Sequence, residues 1–236
     1  MSRRALLLLF ALAVPVMLLA ALPLRLALDM ADAGRAGLSA RSASGSVWSG
    51  RLQGASLRGI ELGDISARLS PLPLLLGTRA VRLSAPHLDA RLLQGRHRGI
   101  DRLDGRLALP PSTLLAGVPL RVQAHGLQIL FSADACHAAE GRVTLVGDHA
   151  DGSPLFTLEG SPACEGRAAV LPLAALAGEG PLARMQASLR LHPDGQWDIE
   201  ARVPVVEDPA AGLMLEAAGF QPGPGGWSRT ARGQLR

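Results

Sequence analysis

The sequence predicts a mainly β protein: one N-terminal transmembrane helix, then an antiparallel, curved β-sheet or β-groove domain with a few short helices. Three observations carry this. Beyond residue 45 the chain breaks into pieces that alternate apolar and polar residues, the period-two pattern of strands with one covered face. Its 27 Gly and 17 Pro punctuate those pieces, and the Gly spacing interrupts the period of 3.6 that abundant Ala and Leu would favour. Residues 5–24 form an uncharged apolar run behind Arg3 and Arg4.

That run comes first in the chain and decides where the rest goes. A helix rises 1.5 Å per residue, so residues 5–24 reach roughly 30 Å, the thickness of a bilayer's hydrocarbon core. Pro15 would only kink such a helix, and Pro23 lies near its end. Arg3 and Arg4 favour a cytoplasmic N-terminus, against the weaker pull of Arg25, Arg35 and Arg41. The competing reading is a cleaved signal peptide processed near Ala31-Asp32-Ala33. Signal-peptide cores run about 7–15 residues, however, and Arg25 and Asp29 separate this longer run from the candidate cleavage site. The division expected is 1–28 for cytoplasmic tip and anchor, 29–44 for a linker, and 45–236 for an exported β-rich domain.

Within that domain the alternating pieces fall at 81–84, 103–109, 120–124, 141–146, 155–159, 185–191, 197–203 and 227–235. Short turns of helix are expected at 71–76, 111–116 and 172–176, each with Pro near a plausible start. An acid, Gly and Arg precede three of the strands, at Asp104-Gly105-Arg106, Glu140-Gly141-Arg142 and Glu165-Gly166-Arg167. Their unequal intervals argue against a regular solenoid and fit turn chemistry, with Gly supplying a positive φ between strands.

Composition removes whole classes of function. The pI near 10.7 reflects the absence of Lys and Tyr more than a basic surface. Removing Arg3 and Arg4 leaves 22 Arg against 20 acids, interleaved along the chain, and aromatics make up only 3%. A nucleic-acid face needs clustered cations and stacking rings, so no nucleic-acid partner is expected. Without Lys there is no phosphate-binding lysine, no Schiff base and no Ser-Lys dyad. No nucleophile elbow, zinc-protease helix or dinucleotide fingerprint occurs, and the six His have no metal-ligand spacing. The expectation is therefore no catalytic residue, no cofactor and no metal.

Cys136 and Cys164 are the only cysteines, an even count in a domain destined for an oxidising compartment, and the expectation is a disulfide. Two unlinked thiols are the alternative. Zinc is disfavoured, since neither Cys belongs to a C-x-x-C pair and His137 is the one nearby His with a claim to it.

Two stretches carry a family likeness. Ser44-Gly45-Ser46-Val47-Trp48-Ser49-Gly50-Arg51 resembles the Gly-Thr-Val-Trp-x-Gly element that opens the body of type II secretion system protein N, with Ser46 in place of Thr. Residues 67–77, with Pro71, Leu74, Leu75 and Gly77, resemble that family's Trp-x-Leu-x-Pro-x-x-Leu-Leu-x-Gly segment, with Arg68 or its neighbour where Trp is usual. The order continues through the two central Cys to Gly226-Trp227. The resemblance implies a non-enzymatic inner-membrane subunit of the type II secretion system with a periplasmic β domain. Its implied partners are the inner-membrane platform components and the outer-membrane secretin. The alternating-strand groove also resembles the wider AsmA-like group, tied to lipid transport and outer-membrane biogenesis. In physical terms Gly45, Val47, Trp48 and Gly50 read as structural residues, with the indole packed on close backbone at the start of a sheet.

Overall fold

A computed structural model of the chain describes Met17, residues 22–30, Gly34, and residues 37–75, 77–109, 118–149, 151–178, 180–206 and 208–234. The apolar run at 5–24 and the short helix expected at 111–116 lie wholly or largely outside these residues. Among the described residues no helix is long and apolar enough to cross a membrane. A short helix, α1 (Leu24–Met30), leads into the sheet.

Sixteen strands among the described residues form a single antiparallel sheet. In the first half they are β1 (Leu38–Ser39), β2 (Ser42–Ser46), β3 (Ser49–Leu57), β4 (Ile60–Ser70), β5 (Arg79–Ala85), β6 (Leu88–Gln94), β7 (His97–Leu109) and β8 (Leu120–Ser132). In the second they are β9 (Ala135–Asp148), β10 (Pro154–Gly160), β11 (Ala163–Glu165), β12 (Ala168–Gly178), β13 (Gln186–Leu191), β14 (Gln196–Val203), β15 (Gln221–Gly223) and β16 (Gly226–Gln234). From β3 to β10 each strand pairs with the next in sequence, and the sheet continues β10-β12-β13-β14-β16-β15. Both β1 and β2 lie along β3, and β11 lies along β12. Neighbour-to-neighbour pairing needs only short connections, which is what frequent turn residues encode. The sheet begins inside the stretch read as a linker, since β1 and most of β2 precede residue 45.

Three expectations change. The strands are longer than the alternating pieces: β7 and β8 each have 13 residues and β9 has 14. Several Gly that read as turns are instead irregularities within strands. Gly105 sits at a register shift in the β7–β8 pair at φ 139°, and a Cβ there would collide with the His87 carbonyl. Gly141 occupies the middle of β9 in the same way, so of the three acid-Gly-Arg triplets only Glu165-Gly166-Arg167 is a turn between strands. The helix expected at 172–176 is also absent, because these residues belong to β12. Pro172 is tolerated there because it falls between the residues of β12 paired with β11 and those paired with β10, where that side of the ladder is interrupted.

Helices occupy three connections. α2 (Pro71–Leu75) joins β4 to β5, a 3₁₀ turn (Gly180–Arg184) joins β12 to β13, and α3 (Pro209–Ala217) joins β14 to β15. Pro71 opens α2 as expected, and the chain leaves it through paired bonds, Gly77 N–H to Leu74 O and Thr78 N–H to Pro73 O. α3 ends the same way, with Gly219 N–H to Glu216 O and Phe220 N–H to Leu215 O, after an N-cap bond from Ala210 N–H to the Asp208 carboxylate.

The sheet curves around its apolar face. Leu109 on β7 and Arg229 on β16 line one space although six strands lie between them in the sheet. The main core fills that curve with Leu120, Phe156, Leu158, Leu171, Leu173, Met185 and Val203, and Leu215 of α3 and Phe220 add to it. A second buried cluster, Leu24, Leu52, Ala55 and Ile65, packs α1 against β3 and β4.

Candidate functional site

For a chain read as an interaction protein, the candidate sites are the edges, the two faces and the enclosed space of the sheet. The edges come first, since an unpaired strand edge is a row of hydrogen-bonding groups able to take another chain.

The first edge is partly covered by the chain itself along β2. Gly45-Ser46-Val47-Trp48-Ser49-Gly50 forms the β2–β3 hairpin, with Gly45 opposite Gly50 and Val47-Trp48 as its two-residue tip. Gly45 has φ 87°, and a Cβ there would meet the Ser49 carbonyl. Gly50 is buried, and a Cβ on it would overlap the Leu24 side chain. Leu22 and Pro23, before α1, and Arg25 in its first turn then meet the hairpin. Val47 N–H donates to Leu22 O at 3.1 Å, Pro23 bridges to Ser46, and Arg25 Nε donates to Ala43 O at 2.8 Å. Trp48 stands half-buried at the hairpin tip, outside both buried clusters. The motif thus builds the receiving surface for the end of the apolar run, Leu22 to Leu24, and for Arg25 just beyond it. Pro71, Leu74 and Gly77 form and end α2 as described; Leu75 is its last residue.

The opposite edge is left open among the described residues. β15 covers only Gly226 to Ser228 of β16, and Thr230, Arg232 and Gln234 beyond it are exposed.

Cys136 and Cys164 are joined by a disulfide, with Cα atoms 5.5 Å apart, tying β9 to β11. Cys136 N–H also donates to Arg167 O, and Arg167 Nε to Asp134 O. Among the described residues no group of three or more His, Cys, Asp or Glu is placed to hold a metal ion.

The two faces of β4–β7 differ sharply. Register places Ala67, Leu83, Ala90, Leu103 and Leu127 in one cross-strand row, and Leu69, Val81, Leu92, Ile100 and Ile129 in a parallel one. These rows run from the cluster under α1 to the main core. On the other face Arg68, Arg82, Arg91 and Arg102 stand directly opposite one another. Like charges so placed repel, and acids inserted among them offset this: Asp89 lies 3.3 Å from Arg82, Asp101 3.4 Å from Arg91 and Asp104 2.7 Å from Arg102. Of the four, the alternation read from the sequence took in only Arg82, within 81–84, and only the register shows them as a ladder.

Asp104 also accepts the Gly126 N–H at 2.6 Å, pinning the irregular part of β8 to β7. The Arg102 hydrogen bond, then this backbone bond, hold its carboxyl below the ordinary 3.8. A carboxyl depressed in the folded state contributes stability above its unfolded pKa and loses it as pH falls through the folded value. Asp104→Asn is therefore expected to lower stability at pH 7 and to flatten the acid limb of the stability curve below about pH 4. At so exposed a site the loss should be no more than about 1 kcal/mol, read from urea midpoints across pH. An unchanged acid limb would show that the carboxylate does not do this.

The enclosed space under the curve is apolar, about 210 Å³, and Leu120, Leu145, Leu158, Leu171 and Met185 are among its walls, with Arg229 the one charged residue. Arg229 Nη1 donates to Ala218 O.

A family model described as type II secretion system (T2SS), protein N, matches residues 36–230, which take in the sheet from β1 into β16. No curated protein and no solved structure matches the chain.

Proposed function

The chain belongs to the type II secretion system protein N family, and on that premise we propose that it is a non-enzymatic, single-pass inner-membrane subunit whose sheet works in the periplasm by protein contacts. It is a type II secretion subunit by family. The finer reading places its contacts with the inner-membrane platform components and the outer-membrane secretin. The family match over residues 36–230 carries the proposal. Two further observations support it: the uncharged run at 5–24 behind Arg3 and Arg4, and a disulfide suited to an oxidising compartment.

The lipid-groove reading asks for a trough able to hold acyl chains. The apolar space of about 210 Å³ falls below the roughly 300–1,000 Å³ of ordinary small-molecule pockets. Nothing in the comparisons points to that group, and the secretion reading is the one adopted.

The test is made in cells that carry the secretion system. The full-length chain is expected to remain in carbonate-extracted membranes, to crosslink to platform or secretin subunits, and to yield no phospholipid when purified and extracted. A mature N-terminus near Gly34 would overturn the anchor. Bound phospholipid without any contact to secretion subunits would overturn the function.

A further inference from the structure

We propose that the open edge of β16, from Arg229 to Gln234, is where the sheet takes up an extended, acidic segment of another secretion subunit as an added strand. This rests on the secretion reading and adds to it the site, the mode and the chemistry of the contact.

The two ends of the sheet are treated differently by the chain. Residues 22–25 partly cover the β2–β3 hairpin, through Val47 N–H at its tip, the Pro23–Ser46 bridge and Arg25 Nε on Ala43 O. At the other end, β15 has three residues, Gln221-Pro222-Gly223, and its pairing stops at Ser228.

The direction of the free backbone groups follows from the ladder. His192 N–H donates to Gln196 O across the β13–β14 turn, which makes 192 and 196 a hydrogen-bonded pair. In an antiparallel ladder such pairs recur every second residue, and neither the β13–β14 nor the β14–β16 register shifts. The even-numbered residues of β14 therefore bond toward β13 and the odd-numbered ones toward β16, reaching residues 227, 229, 231 and 233. The backbone groups of Thr230, Arg232 and Gln234 point away from the sheet, and all three residues are exposed. Six residues of strand offer an edge of roughly 20 Å.

Charge selects the partner. Among Thr230, Arg232 and Gln234, the described residues with free backbone groups, Arg232 carries the one charge, since the Arg229 guanidinium turns to Ala218 O. The Arg232 side chain is 84% exposed and 3.0 Å from Asp198 Oδ1, while Asp198 Oδ2 lies 3.1 Å from His192 Nε2. An ion pair this exposed is worth little, and Asp198 keeps a second partner if the guanidinium turns outward. A strand laid against β16 places its residues about 4.5–5.5 Å from Thr230, Arg232 and Gln234, where Asp or Glu opposite Arg232 is favoured and Arg or Lys is rejected.

The experiment uses the full-length chain in cells with the intact secretion system, with a photo-crosslinking amino acid in place of Gln234. The expected product is an adduct with another secretion subunit, mapped by mass spectrometry to an Asp- or Glu-containing segment. Thr230→Pro removes an outward N–H without touching the β14 ladder, and Arg232→Glu reverses the charge. Each should cut the adduct at least tenfold while abundance and the Cys136–Cys164 disulfide stay as in the parent chain. Arg68→Glu, on the outer face of β4, should leave the adduct unchanged. Undiminished adducts in both edge variants, or adducts only with a second copy of this chain, would overturn the edge assignment. If a probe at position 68 then still reports secretion subunits, the function stands without the edge; if neither position does and secretion persists without the chain, both fall.

Discussion

Phe156→Ala is expected to destabilise the protein by about 3–5 kcal/mol, the largest effect of any single substitution argued from this fold. Phe156 is 2% exposed at the centre of the main core, on the same strand as the fully buried Leu158. Its ring lies over Gly147 of β9, where a Cβ would collide with it. Removing the ring leaves a void against β9, and strands fixed by pairing on both sides cannot close in to fill it. The urea midpoint of the purified full-length chain should fall sharply with the slope unchanged. Gly147→Ala approaches the same place from the other strand and should cost about 1–3 kcal/mol by overpacking. If both variants unfold like the parent chain, Phe156 does not organise the core.

Removing the disulfide comes second. Cys136 and Cys164 are 28 residues apart, and closing a loop of that length contributes about 3–4 kcal/mol on the chain-entropy model. The tie is also local. β11 has three exposed residues held to β12 by three register pairs, and the disulfide is its covalent link to β9. The double variant Cys136→Ser, Cys164→Ser should lose that stability, and amides at 163–165 should exchange faster while those of β13 and β14 keep their protection. Equal protection at 163–165 with and without the disulfide would show that backbone bonds alone hold β11.

The class of the fold was legible because strand alternation is local. A residue's neighbours at i±2 show which face is covered, without reference to partners. The cysteine pairing was legible by count, there being two. Strand length was not: Gly105 and Gly141 look like turn residues, yet each lies where a strand deviates and a neighbouring backbone comes too close for a Cβ. Pro172 misled for a related reason, since its tolerance in β12 depends on a gap between two other strands.

The sequence by itself determined the alternating β domain, the apolar run at 5–24, the linked cysteines, and motifs that place the chain with its family. Tertiary structure alone decided the register, and with it the Arg68–Arg82–Arg91–Arg102 ladder, the partial covering of the first edge by residues 22–25, and the edge of β16 left open among the described residues. The physical reason is the range of the interactions. Periodicity and turn chemistry act between residues a few positions apart. Which side chains face each other across strands, and which edge remains unpaired, depends on pairings between distant segments, and a one-residue shift of register would exchange the two faces.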